Sequence, residues 1–130
     1  TLNAWLVTDK AGRVRHIGNT PGGDGQVQWN MQLLSHLLDH DLDPQEAVSA
    51  PRFTVFPGSD ANVVGAPEEL LCEARFAPSA IRHLAESGHN VREVGPWDAG
   101  GGALIISLDP QLGCLSGGAD PRQDGVVLGD

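Results

Sequence analysis

Apolar residues fall in short clusters along this chain, and turn-forming residues separate them. The clusters Ala4–Thr8 and Arg13–Ile17 flank Asp9-Lys10-Ala11-Gly12, a pattern that predicts two strands of a hairpin. Val27, Met31, Leu34 and Leu38 form one apolar stripe at helical spacing, widened by Leu33 and Leu37, which predicts a helix from about Val27 to His40. The run D-P-Q-E-A-V-S-A predicts a short second helix. Asp43 is its N-cap, Pro44 takes the first helical position, Glu46 completes a capping box and Ala50-Pro51 ends it. Phe53–Phe56, Glu69–Ala74 and Asn90–Val94 read as strands, and Pro78–Ser87 as a helix closed by Gly88. Ala103–Leu108 and Cys114–Ser116 read as a hairpin across D-P-Q-L-G. No internal repeat and no interdomain linker is visible. Hairpins and helices mix along the chain, so the class is α+β, in a single domain spanning residues 1–130.

The junction between the first hairpin and the long helix reads G-N-T-P-G-G-D-G-Q, with Gly22, Gly23 and Gly25 directly after Pro21. Glycine-rich segments can be flexible linkers. A linker does not usually sit between two tightly coupled elements, however, and glycine also lets backbone N–H groups approach a negative oxygen. A strand-to-helix corner of this kind suits an oxyanion or a phosphate. On spacing alone, an oxyanion hole built from the N–H groups of Gly22 and Gly23 and a plain tight turn that needs positive φ remain equal readings.

Composition narrows the function classes. The chain has 130 residues, 40% hydrophobic and 19% charged, with a net charge of −9. At this size a real core can form, burying about two thirds of the unfolded surface. The acidic balance argues against nucleic acid and against an anionic membrane surface. No apolar run approaches the roughly 18 residues of a spanning helix. No signal peptide opens the sequence, so either the protein is intracellular or an N-terminal part lies outside it. Cys72 and Cys114 each sit in an apolar run, and both are expected to be buried thiols rather than a disulfide.

Other residues carry chemistry with a plainer alternative beside it. His36 and His40 stand four apart on the long helix, but without the glutamate of H-E-x-x-H or a third ligand they read as solvated side chains near a helix C-terminus, and no metal is expected. Asp120 and Arg122 read first as an ion pair holding the tail and second as a reader of a polar substrate. Trp5, Trp29 and Trp97 read as packing residues. Thr1 could be an N-terminal nucleophile with its own amine as base, but T-L-N-A-W offers nothing else in support.

Three blocks in order carry a resemblance: T-L-N-x-W-L-V-x-D-x-x-G, then T-P-G-G-D-G-Q-x-Q-x-N-x-Q, then L-D-H-x-L-D-P-Q-E-A-V-x-A-P-R-F. G-H-x-V, G-G-G-A-x-I-I and G-G-A-D-P-R-x-D-G continue it to the C-terminus. This pattern resembles the gamma-glutamyltransferases, and more narrowly their gamma-glutamyltransferase-like branch. The resemblance implies a partial αββα sandwich of the N-terminal nucleophile hydrolase type. It implies a precursor that cuts itself in two, freeing a threonine that attacks a γ-glutamyl amide such as glutathione and passes the acyl group to water or an amine. The family's paired oxyanion-hole glycines fall on Gly22 and Gly23. Thr1 falls at the end of a substrate-carboxylate segment and not on the nucleophile, and Thr20 lies beside the corner as a second substrate-side candidate. The sequence would then be the C-terminal part of a small subunit, without the catalytic threonine, the acidic residue for the substrate's α-amino group, or the large-subunit arginine. Asn19 departs from the family, which commonly has glycine before the Thr/Ser-Pro-Gly-Gly run.

The resemblance further implies no cofactor, a small-molecule γ-glutamyl substrate, the rest of both subunits as partners, and periplasmic or secreted placement with its signal outside this sequence. A cephalosporin-type acyl amide and poly-γ-glutamate are alternative substrates. Alone, the segment should be inactive and should self-associate through uncovered apolar surface and unpaired sheet edges. The rival reading is a standalone, non-catalytic binding module with a glycine-cradled anion site.

Overall fold

The computed structural model describes residues 2–58, 63 and 65–129. Strands β1 (Leu2–Thr8) and β2 (Val14–Pro21) form the first hairpin. Its turn is fixed locally: the Asp9 carboxylate accepts the Ala11 and Arg13 N–H groups, and Gly12 takes a φ of 79°. Strand β2 runs four residues past its expected end, because pairing with β1 continues from Ile17 opposite Leu6 to Pro21 opposite Leu2. Gly18 fits inside that strand because the Trp5 ring occupies the space of a Cβ, 2.2 Å from where it would stand.

A single 3-10 turn, Gly23–Gly25, leads into α1 (Gln26–Leu38) and then α2 (Pro44–Ser49). The expected capping box on α2 is present: Asp43 Oδ1 accepts the Glu46 N–H at 2.8 Å, and Glu46 Oε2 accepts the Asp43 N–H at 3.1 Å. Next come β3 (Phe53–Phe56), β4 (Glu69–Glu73), α3 (Pro78–Glu86), β5 (Val91–Val94), β6 (Leu104–Leu108) and β7 (Leu115–Ala119). Gly88, at φ 96°, follows the end of α3 as expected. The β6–β7 hairpin extends beyond the expected Ser116 to Ala119, which pairs with Leu104.

The strands make two sheets, β1-β2-β6-β7, all antiparallel, and β3-β4-β5, in which β4 and β5 run parallel around α3. Helices α1 and α2 cover one face of the larger sheet. Leu33, Leu37, Ala47, Val48, Ala103 and Ile105 form the core there, with Trp5 and Leu42 packed against it. The opposite face carries Leu6, Ile17 and Ile106 in one cross-strand row, all exposed. This is the α+β layering of a partial αββα sandwich, with the second sheet position uncovered.

Helix α1 departs from expectation in which face it buries. Trp29, Leu33 and Leu37 face the core, whereas Val27, Met31 and Leu38 lie on the outside, the first 79% exposed. The helix is apolar on two sides, and hydrophobic spacing alone does not say which side meets the sheet. Cys72 is buried as expected, but Cys114 is exposed, because it stands outside β7 beside the Gly113 turn.

Candidate active site

The corner is formed where β2 ends and α1 begins. Gly22 has φ 122° and Gly23 φ 60°, conformations that disfavour any side chain. Both residues are exposed. Among the described residues, no main-chain acceptor is bonded to the N–H of either glycine. A cavity of about 170 Å³ opens beside Gly22, lined also by Asp24, Gly25, Gln28, Trp29, Thr54 and Phe56 among others. A larger groove of about 890 Å³ lies elsewhere, along the outer stripe of α1 and the edge strand β1, and is walled mostly by apolar side chains such as Val27, Met31 and Leu38.

Behind the corner sits a polar cluster. Thr20 is fully buried, its Oγ1 3.1 Å from Asn30 Oδ1 and 3.3 Å from Asn3 Oδ1. Trp5 Nε1 donates to the same Asn30 oxygen at 3.0 Å, and Gln26 Nε2 donates to the Thr20 carbonyl at 2.7 Å. The Thr20 hydroxyl therefore faces protein, tying β1, β2 and α1 together beneath Pro21. Thr1 lies outside the described residues.

The polar positions of the D-G-Q-x-Q-x-N-x-Q block also serve the scaffold. Gln28 exchanges two hydrogen bonds with the Val55 main chain, at 3.1 and 2.7 Å. Gln32 does the same with Phe53, at 2.9 and 3.0 Å. Two side-chain amides one helical turn apart thus act as a strand partner for the free edge of β3. Gln45 repeats the device on Ala119 of β7. Sequence reading missed these roles, although glutamines four apart beside a strand-forming run are a usable signal.

A buried ionic cluster joins the remaining segments. Glu73 takes a two-pronged contact from Arg122, at 2.7 Å from both Nε and Nη2. Arg122 Nη1 also meets Asp120 Oδ1 at 2.9 Å. Arg52 Nη2 meets Asp120 Oδ2 at 2.8 Å as an ion pair not aligned as a hydrogen bond. All four side chains are at most 2% exposed. Arg75 closes the open side, with Nη2 2.6 Å from Glu73 Oε2 and its guanidinium stacked on Trp97 at 3.5 Å. Burial pushes the Glu73 carboxyl up, but hydrogen bonds from Arg122, the Arg52 N–H and Arg75 outweigh it, and the group sits below its ordinary range. Burial pulls Arg52 down against the pull of Asp120. Asp120 and Arg122 are thus the ion pair expected first, enlarged by Arg52 and Glu73, which sequence reading missed. A lone acidic residue ending the apolar run L-L-C-E was the signal.

The cluster also reaches toward the corner. Arg52 Nη1 donates to the carbonyls of Gly100 and Gly101, at 3.2 and 3.0 Å, and so fastens the second glycine loop. That loop lies against the ring of Trp29.

His36, in the last turn of α1, and His40, just past its end, lie side by side. Their ring centroids are 6.2 Å apart, and among the described residues no group of three His, Cys, Asp or Glu side chains could hold a metal ion. His40 is exposed, but His36 is half-buried rather than solvated; burial first, then His40 and Arg52, holds it below its ordinary pKa. No described helix is long and apolar enough to cross a membrane.

A family model described as Gamma-glutamyltranspeptidase matches residues 1–130. The chain is 37% identical over 121 residues to the glutathione hydrolase-like YwrD proenzyme of Bacillus subtilis (strain 168), covering 92% of this chain and 22% of that protein. It is 34% identical to the oxamate amidohydrolase proenzyme of Klebsiella pneumoniae, covering 99% of this chain and 24% of that protein. The fold matches the crystal structure of cephalosporin acylase from Bacillus halodurans with a TM-score of 0.81 at 30% identity, over 96% of this chain and 22% of that one. The chain therefore spans less than a quarter of the length of these relatives.

Proposed function

Because the chain belongs to the gamma-glutamyltranspeptidase family, we propose that it is the C-terminal part of the small subunit of a self-processing amide acyltransferase or hydrolase. The observation that carries this reading is the corner itself: two exposed glycines at positive φ, with N–H groups that no described main chain uses. In acyl transfer the carbonyl oxygen of the scissile amide gains charge as a hydroxyl attacks its carbon. Two fixed N–H donors at that oxygen each contribute about 3–4 kcal/mol to the transition state. The attacking threonine and the groups that bind the substrate's charged end come from the rest of the protein. Thr20 and Pro21 hold the corner rather than touch substrate, since the Thr20 hydroxyl is spent on Asn30. No cofactor enters, because threonine acyl chemistry needs none.

The substrate class is an amide with a γ-glutamyl acyl group, glutathione being the simplest case. The exposed row Leu6, Ile17 and Ile106 suits a second sheet from the rest of the protein, since two sheets facing each other bury such rows. The test is release of p-nitroaniline from γ-glutamyl-p-nitroanilide. The intact protein is expected to release it and the 130-residue segment alone is not. Turnover by the segment alone would overturn the assignment.

A further inference from the structure

Four glycines from two separate loops press on one indole. A Cβ on Gly22 would stand 2.4 Å from the Trp29 ring, and one on Gly25 2.3 Å. From the other loop, a Cβ on Gly100 would stand 2.9 Å away and one on Gly101 2.3 Å. No side chain of any size fits at these points, so the two backbones reach Trp29 directly. The ring is also fixed about its own axis. Its Nε1–H donates to Thr54 Oγ1 at 2.7 Å, and Thr54 Oγ1 donates in turn to the Ala99 carbonyl. The loop that carries Ala99, Gly100 and Gly101 is held in place by Arg52, and Arg52 by Asp120.

Given the oxyanion role proposed for Gly22 and Gly23, the geometry points to Trp29 as the positioning residue of that corner. Glycines at positive φ have no side chains to lock them, so something external must set the direction of their N–H groups. The indole does so by packing against Gly22 and Gly25, on either side of Gly23, and the second glycine loop backs the indole. The buried ionic cluster, through its member Arg52, thereby supports the corner's shape by way of two intermediates, the second loop and the indole. Donors displaced by a fraction of an ångström still bind the ground-state carbonyl but lose much of their grip on the developing oxyanion. Trp29 therefore acts on kcat and leaves KM nearly alone.

The experiment uses the intact, self-processed protein with γ-glutamyl-p-nitroanilide, and rates are expressed per active site counted by a covalent γ-glutamyl affinity label. Trp29→Phe keeps an aromatic ring but removes the Nε1–H. Thr54→Val keeps the whole indole and removes only its acceptor, which guards against a Trp29 variant that fails to fold. Both are expected to lower kcat per labelled site about 10- to 100-fold, with KM changed less than about threefold. A loss confined to the number of labelled sites, with kcat per site unchanged, would show Trp29 to be ordinary packing and overturn the inference. Gly23→Ala separates the underlying reading. If it leaves kcat intact, the corner is not the oxyanion site. If it abolishes turnover while both Trp29→Phe and Thr54→Val are silent, the corner stands and the role of Trp29 falls.

Discussion

Glu73 Oε2 and Arg122 Nη2 lie 2.7 Å apart, with the carboxylate side chain fully buried and the guanidinium 2% exposed. A charge so enclosed persists only because its partner is in place. Removing one member leaves the other buried and uncompensated, at a cost of about 3–5 kcal/mol. Arg122→Ala is expected to show that loss in urea unfolding of the intact protein. Arg122→Lys, which cannot reproduce the two-pronged contact, should fall between it and the parent. A loss under about 1 kcal/mol for Arg122→Ala would mean that Arg75 alone can satisfy Glu73.

The same carboxyl sets an acid limit. Burial raises it, but its three arginine-derived partners win, so its folded value lies below the ordinary 4.5. A depressed carboxyl contributes stability that is fully present above about pH 4.5 and is lost as pH falls toward the folded value, because the unfolded chain then binds more protons. The midpoint of thermal unfolding should hold through neutral pH and drop below about 4.5. Glu73→Gln should lower stability at pH 7 and flatten part of that acid slope. An equal slope in parent and variant would assign acid sensitivity to other groups.

Gly22 meets two demands at once, a φ of 122° and a ring 2.4 Å from any added Cβ. Gly22→Ala should therefore move the corner, and turnover should fall about 100- to 1000-fold through kcat, in the range seen when one oxyanion donor is lost. Steady-state kinetics on γ-glutamyl-p-nitroanilide checks this. Normal kcat with a stable fold would remove Gly22 from the chemistry.

How far the sequence was legible follows from the range of each interaction. The hairpin turn at Asp9–Gly12, the capping box on Asp43 and the stop at Gly88 are local, and each appears where residue chemistry placed it. The ends of β2 and β7 are set by how far the hairpin partners β1 and β6 carry the pairing beyond the turn, and both ran longer than their local patterns. The face of α1 was misread because Val27, Met31, Leu34 and Leu38 make as good a stripe as Trp29, Leu33 and Leu37. What selects the second is the fit of two glycine loops to an indole, separated from each other by more than seventy residues. At the site, Gly22 and Gly23 were visible as a motif. Arg52 and Glu73 were not, because a buried charge looks like any other until its partner's position is known.

The uncovered sheet face makes the final prediction. Leu6 sits opposite Ile17, and Ile17 opposite Ile106, at 57%, 39% and 45% exposure, with Leu104 beside them. A row of this kind across three strands costs free energy in water, about 25 cal/mol per Å² of apolar surface left uncovered. In the intact protein, under the assignment made above, the rest of the chain covers it. Expressed alone, residues 1–130 should instead associate through this face, with a sedimentation coefficient that rises with concentration. A charge at its centre, Ile106→Lys, should return the segment to monomer without disturbing the core, since Ile106 points away from Leu33 and Ile105. In the intact protein the same substitution should block assembly or self-processing. A segment that sediments as a monomer at high concentration, together with an intact Ile106→Lys protein that matures normally, would show that the face is simply solvent-facing and covered by nothing.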